Sequence, residues 1–260
     1  MKSTVDVLIA IRGPAPFLRF TLQSILGQSI ESAHVIAVLD GSSDEVEDLL
    51  LELLPKATLL HVPPNSGVAH ALNAGLKVST ANYIARIDAD DMMNPTRLDL
   101  QRDYLDAHPT CVAVSSAVTF INELGSKISH RAPPTGDDKI RRRLQWRNPI
   151  AHPATTLRRE TVVDLGGYSE HAKYLEDFVL WLNLATKGEI ATLPDSLTKY
   201  RVHDDQVTKS VKFDSIGMSE LRRARVAFAR SQDSSVTAAR YRHFLWYLVQ
   251  VARGRIALGK

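Results

Sequence analysis

Three carboxylates, Asp88, Asp90 and Asp91, fall within four residues at the point where an apolar run ends. Charges this close repel one another and persist only where a cation or hydrogen-bond donors offset them. A hard divalent ion, Mn2+ or Mg2+, is bound by carboxylate oxygens of this kind and completed by substrate phosphates. A second reading is a plain turn in which an aspartate caps the following helix, since Asn94-Pro95 comes next. Other groups able to do chemistry stand at comparable positions. Asp40 closes another apolar run and precedes Gly41, while Glu176 and Asp177 open a segment of helical periodicity, where the helix dipole favours negative charge. Asn65, Gly67 and Asn73 surround the start of a further helical pattern. Two histidines add to the set, His152 in Asn148-Pro-Ile-Ala-His152 and His203 in Tyr200-Arg-Val-His-Asp204.

These groups converge only if the elements carrying them share an edge. Val5–Ile11 reads as a strand, residues 16–26 as a helix, residues 34–39 as a strand, and residues 45–54 as a helix capped by Ser42 or Ser43. A strand over Thr58–Val62, a helix over Val68–Val78, the strand from Tyr83 and a helix over residues 96–107 continue the alternation. Alternation at this spacing predicts right-handed crossovers and a Rossmann-like, doubly wound α/β fold with a mostly parallel central sheet. Ligands of such sheets bind beyond the carboxyl ends of the strands, where Asp40 and the Asp88 cluster both fall. After Cys111 the pattern loosens into a strand or bent pair over residues 112–121 and a polar loop over residues 132–138. A helix over residues 138–146, a helix over residues 174–187, and short strands over residues 190–193 and 197–202 follow. Two helices from residue 218, split near residues 231–235, form a C-terminal appendage. The expected division is a main domain over residues 1–210, with halves 1–108 and 109–210, and a basic helical extension over residues 211–260.

Of the 260 residues, 44% are hydrophobic and 23% charged, which suits a globular chain with a sizeable core. The single cysteine, Cys111, excludes an internal disulfide, and its apolar setting reads as an inert core thiol suited to a reducing compartment. The first residues read as a start without a secretory leader, and no apolar run is long enough to cross a bilayer. A soluble, cytoplasmic protein is expected. The net charge of +3 hides an asymmetry: from Glu220 onward, nine basic residues between Arg222 and Lys260 oppose only Glu220 and Asp233. Such a tail meets anionic lipid, an acidic partner or nucleic acid, or is the solvated face of ordinary helices. No nucleic-acid reading motif accompanies the arginines, so nucleic acid is not expected as a partner.

Five patches, taken in order, resemble the inverting family-2 glycosyltransferases, enzymes with the nucleotide-sugar-binding glycosyltransferase A fold. They are Val5 to Arg12 with Leu22-Gln-Ser-Ile-Leu-Gly-Gln28; Val38-Leu-Asp-Gly-Ser-Ser-Asp44; and Asn65-Ser-Gly67 with Ala71-Leu-Asn-Ala-Gly75. Ile87-Asp-Ala-Asp-Asp91 with Pro95, and Gly166-Gly-Tyr168 with Glu176-Asp177 and Trp181, complete the series. Two positions depart from the family pattern. Leu39 stands where an acidic residue is frequent, and the first strand ends Ala10-Ile-Arg-Gly13 in place of a Pro-x-Tyr-Asn-like turn. Both border the base and ribose pocket of the family.

The resemblance implies a role for each group. Asp40 accepts hydrogen bonds from the base or ribose of a nucleotide, the alternative being an Asx turn. Asn65, Gly67 and Asn73 shape that pocket, or else serve the helix start. Asp88 meets ribose, Asp90 coordinates the Mn2+ or Mg2+ cofactor, Asp91 shares that task, and His203 adds a late ligand. Asp177 is the general base for an acceptor hydroxyl, with Glu176 beside it. His152 contacts acceptor or phosphates, and Trp181 stacks on a sugar unless its helical spacing buries it in the core. The implied enzyme is a metal-dependent inverting hexosyltransferase taking a nucleotide-sugar donor, UDP-linked first of all. Its acceptor is a glycan, lipid-linked glycan or glycolipid of a surface polysaccharide. The C-terminal helices then hold it at the inner face of the cell membrane, form a homodimer, or pack on the main domain. Two other readings stand beside this one. A sugar nucleotidyltransferase needs a Gly-rich basic phosphate loop, which Arg12-Gly13 hardly supplies, and a non-catalytic sugar-nucleotide-binding module shares the scaffold.

Overall fold

In the computed structural model, which describes residues 3–29, 33–204, 206 and 212–256, strands and helices alternate through the first half. β1 (Val5–Ile11), α1 (Leu18–Leu26), β2 (His34–Asp40), α2 (Asp44–Leu53), β3 (Thr58–Val62), α3 (Val68–Val78) and β4 (Tyr83–Asp88) come first. Then follow β5 (Met92–Met93), α4 (Arg97–Ala107), β6 (Cys111–Ile121), β7 (Lys127–Arg131), α5 (Asp137–Leu144), a 3₁₀ turn at His152–Ala154 and β8 (Thr156–Arg158). The chain continues through α6 (Arg159–Asp164), α7 (Glu176–Leu184), β9 (Glu189–Arg201), α8 (Ser215–Ser231) and α9 (Val236–Ala252).

β1 is apolar at nearly every position because both of its faces are covered. Val5, Val7, Ile9 and Ile11 enter one cluster with Leu18, Leu22, Val46, Leu50 and Leu98 of α1, α2 and α4. Leu8 points the opposite way, into a second cluster with Leu72 of α3, Ile140 of α5 and the apolar side of α7. Gly75 lets α3 lie close on the sheet, since a Cβ there would stand 2.2 Å from Leu8 Cδ1.

The sheet order is β3-β2-β1-β4-β8-β6-β9-β5, with β7 paired to β6. The long pairings, β1 with β2 and β4, β2 with β3, and β6 with β9, are parallel; the short joins made by β5, β7 and β8 are antiparallel. This is the mostly parallel α/β sheet expected. β4 lies mid-sheet and β5 at its far end, yet four peptide steps connect them, a reach of no more than about 14 Å. The sheet must therefore curl, and the connecting turn is the acidic one.

Patterning in the first half matches the observed bounds to within two residues. The second half differs more. β5, β7, β8 and α6 are too short to carry a period, and none was anticipated. β9 is one strand rather than two, because register shifts opposite Ser116–Val118 accommodate the Pro194 interruption. Neither serine caps α2 through its side chain; Ser42 Oγ instead donates to Ile11 O at 3.0 Å. Cys111 is buried and its thiol pKa is pushed up to about 11 by burial, as befits a core thiol. α8 joins the main core through Met218, Leu221, Ala224 and Phe228. The expected boundary at residues 210/211, and Lys260 of the basic tail, lie outside the described residues.

Candidate active site at the curled sheet edge

β4 delivers Asp88, and a turn closed by Asp91 N donating to Asp88 O at 3.3 Å presents Asp90 and Asp91. Ligand oxygens of the three carboxylates lie within 4.8 Å of one another. β9 locks the turn in place. Arg201 N donates to Asp91 Oδ1 at 2.7 Å and the buried Arg201 side chain donates through Nε to Asp90 O at 2.9 Å. The same guanidinium binds Asn122 O and Glu123 O and lies 4.6 Å from the Phe17 ring centroid. Past the end of β9, His203 Nε2 meets Asp90 Oδ2 at 2.9 Å, so the late histidine reaches the acid cluster.

Arg86 shares the face of β4 with Asp88, two residues on, and hydrogen-bonds its carboxylate. Burial raises the pKa of Asp88, opposed chiefly by Arg86; burial and the charges of Asp90 and Asp88 raise that of Asp91 well above the usual carboxylate range. Asp91 Oδ2 is buried without a hydrogen-bond partner. Clustered hard oxygens, one of them orphaned, fit a divalent cation by ligand type and spacing.

Glu176 and Asp177 occupy the first turn of α7. Asp177 Oδ2 accepts from Asn148 Nδ2 at 2.7 Å and Oδ1 accepts from Phe178 N at 2.6 Å, so both oxygens are oriented. Burial pushes Asp177 up to about 6; burial and then Asp177 push Glu176 up to about 7. Asp88 adds to the rise at Asp177, which places the two acid groups within each other's field. His152 Nε2 and Tyr168 Oη are 2.9 Å apart, and enclosure drives the imidazole pKa well below its ordinary value, so the ring is neutral. Trp181 is fully buried and meets His152 edge-on at 5.8 Å. It therefore backs His152 from the core and has no open face for a sugar.

Asp40 is buried at the end of β2, and its carboxylate accepts from Ser66 N at 2.8 Å and Gly67 N at 3.1 Å. A neighbouring strand thus supplies the cap for α3, whose Gly67 N-cap has no side chain to offer. Asn65 and Gly67 take left-handed backbone conformations, φ 64° and 93°, in the turn that makes this possible. Asn73 faces the other half of the molecule: Tyr168 N donates to its Oδ1 at 2.8 Å and its Nδ2 donates to Tyr168 O at 2.9 Å. Three partners of the candidate groups carry no role in the sequence reading: Asn148, Arg201 and Arg86. The signal for Arg86 and Arg201 is a lone arginine inside an apolar strand two or fewer residues from a candidate group. Asn148 carries no such local sign.

A family model described as Glycosyl transferase family 2 matches residues 6–166. The amylovoran biosynthesis glycosyltransferase AmsE of Erwinia amylovora is 32% identical over 225 residues, covering 85% of this chain and 83% of that protein. Among solved structures, S. aureus TarS 1-349 in complex with UDP-GlcNAc superposes with a TM-score of 0.71 at 15% identity, covering 96% of this chain and 73% of that one. The mannosyltransferase PcManGT from Pyrobaculum calidifontis, in complex with GDP-Man and Mn2+, superposes with a TM-score of 0.62 at 19% identity, covering 97% and 76%. At these identities the two structures establish a shared fold.

Proposed function

Since this chain belongs to glycosyl transferase family 2 and is a glycosyltransferase, we propose that it carries a sugar from a nucleotide donor to an acceptor hydroxyl in one inverting step. A UDP-sugar is the favoured donor, as in the UDP-GlcNAc complex of TarS. A glycan, lipid-linked glycan or glycolipid is the favoured acceptor, in line with the polysaccharide named for AmsE. The observation that carries this reading is the Asp88, Asp90 and Asp91 cluster at the end of β4, with the enclosed Asp177 near enough for the charge of Asp88 to raise its pKa.

On this reading Asp90 and Asp91 hold Mn2+ or Mg2+, with His203 beside Asp90. The ion supplies positive charge where the departing nucleoside diphosphate accumulates negative charge. Asp88, steadied by Arg86, is left to meet ribose. Asp40 keeps the first turn of α3 at the nucleotide edge, where Asn65 and Gly67 line the pocket. Asp177 accepts the proton of the acceptor hydroxyl. Its raised pKa leaves it ionised at neutral pH yet more basic than an exposed aspartate, which suits a general base. Asn148 and Phe178 N restrict its rotation, Glu176 stands alongside, and the neutral His152 forms a fixed wall of the acceptor side. Residues 1–108 then form the donor half and residues 109–210 the acceptor half of a catalytic domain working in the cytoplasm.

The test is thermal unfolding against UDP, GDP, CDP and TDP, each with and without Mn2+. A nucleotide at about 100 times its dissociation constant adds ~2.7 kcal/mol of apparent stability. The expected outcome is a metal-dependent rise with UDP. A folded sample that responds to no nucleotide would overturn the donor site.

A further inference from the structure

Helix α9 turns its more apolar stripe to solvent. Ala239, His243, Trp246 and Gln250 recur every three or four residues on the side packed against the body of the protein. Ala239, His243 and Gln250 are buried, and Trp246 meets Phe213 and the guanidinium of Arg225. Two of these four inward residues are polar. The opposite stripe has the same period but holds Tyr241, Phe244 and Leu248, which are 59%, 53% and 44% exposed. A surface helix in water buries its apolar stripe and exposes its polar one. α9 does the reverse, and a contiguous exposed apolar stripe rimmed by charge marks a contact surface.

Charge decides what covers it. α9 contains no acidic residue, exposed Arg240 borders the stripe, and exposed Arg222 of α8 lies near enough to α9 for its charge to act on His243. In a symmetric dimer the surface would meet itself and set these arginines against their own copies. An anionic bilayer instead offers hydrocarbon to the stripe and negative charge to its rim. Half-exposed Trp146, with the Arg242 guanidinium 5.7 Å from its ring centroid, adds an aromatic side chain beside α9 that is suited to the headgroup region. We infer that α9 lies in the surface of an anionic membrane, its Tyr241, Phe244 and Leu248 entering the headgroup–acyl boundary and its arginines meeting lipid phosphates. The docking patch is tied to the acceptor side. Arg225 donates to Trp146 O at 3.1 Å, and two residues further on Asn148 holds Asp177. That a docked molecule turns its base toward a membrane-borne acceptor rests on the proposed function; the docking itself does not.

Co-sedimentation of the full chain with phosphatidylcholine vesicles, and with mixed phosphatidylcholine–phosphatidylglycerol vesicles, at low and high salt, tests the inference. Binding to the mixed vesicles, weakened by salt and absent with phosphatidylcholine alone, is expected. The triple variant Tyr241→Ser, Phe244→Ser, Leu248→Ser should bind at least about tenfold more weakly, and Arg240→Gln about fivefold more weakly. Both variants change exposed side chains, so their melting temperatures and nucleotide responses should match the parent. No binding to mixed vesicles, or equal binding to both kinds by parent and variants, overturns the inference. So does a concentration-dependent dimer that the triple variant dissociates, which assigns the stripe to a second copy. Vesicle binding without any nucleotide response overturns the proposed donor site and leaves the docking intact.

Discussion

On the proposed mechanism, Asp177 combines activity with a stability cost in the same carboxylate. As general base it must be ionised, so kcat/KM is expected to rise with pH and level off above about 6, the value to which burial pushes its pKa. Asp177→Asn should lower turnover by ~10²–10⁴-fold while nucleotide binding, followed by calorimetry, persists. If binding and turnover vanish together, the assignment fails. The stability effect runs the other way. A folded-state pKa above the unfolded value means that the folded protein holds the proton more tightly. The associated stability is complete below the ordinary aspartate range and is lost as pH rises through about 6. The asparagine variant escapes that loss, so it should melt above the parent at about pH 8, with the advantage shrinking toward about pH 4.

At the scale of elements, α3 links the two halves. Its first turn is held by Asp40 from β2, and one turn further along Asn73 clamps the backbone of Tyr168, whose hydroxyl reaches His152. The clamp is tight: a Cβ on Gly167 would stand 2.4 Å from Asn73 Oδ1, at a φ of +79° that already favours glycine. Asn73→Ala leaves a backbone donor and acceptor of Tyr168 without partners, at a cost of about 1–3 kcal/mol. It should lower kcat more than it weakens nucleotide binding, because the disturbance falls on the acceptor side. A variant with a normal melting temperature and normal kcat would remove Asn73 from the positioning network. β5 has a comparable role at the acid cluster, since its pairing with β9 holds Arg201 against the acid turn.

The whole molecule is organised by the curl of its sheet and by the packing of α8. Leu221, Ala224 and Phe228 of α8 complete the same apolar cluster as Phe178 and Leu182 of α7, and Arg225 lies between the rings of Phe178 and Trp246. α8 is thus part of the core, while α9 shields it and faces outward. A chain ending at residue 206 should lose its cooperative thermal transition, because the apolar side of α7 would be uncovered. A truncated chain that still melts sharply and responds to UDP would make residues 211–260 a true appendage.

Much of residues 1–108 was legible from the amino-acid sequence because the signals there are local. A strand covered on both faces is a continuous apolar run, a parallel neighbour requires an intervening helix, and an acid-rich turn at a strand end is visible wherever that strand pairs. The carboxylates, the α/β class and the bounds of β1, β3 and α3 followed from those rules. Short antiparallel joins carry no period, so β5, β7 and β8 emerged only once their partners were in place. The same holds for contacts between distant segments: His203 with Asp90, Asn148 with Asp177, and the Asp40 carboxylate as the cap of α3. Helical spacing allowed Trp181 a place in the core but did not decide which way it, or the aromatic face of α9, would turn. The tertiary structure decided that, sealing Trp181 behind His152 and leaving Tyr241, Phe244 and Leu248 outside, because burial depends on what packs against a face and not on the face alone.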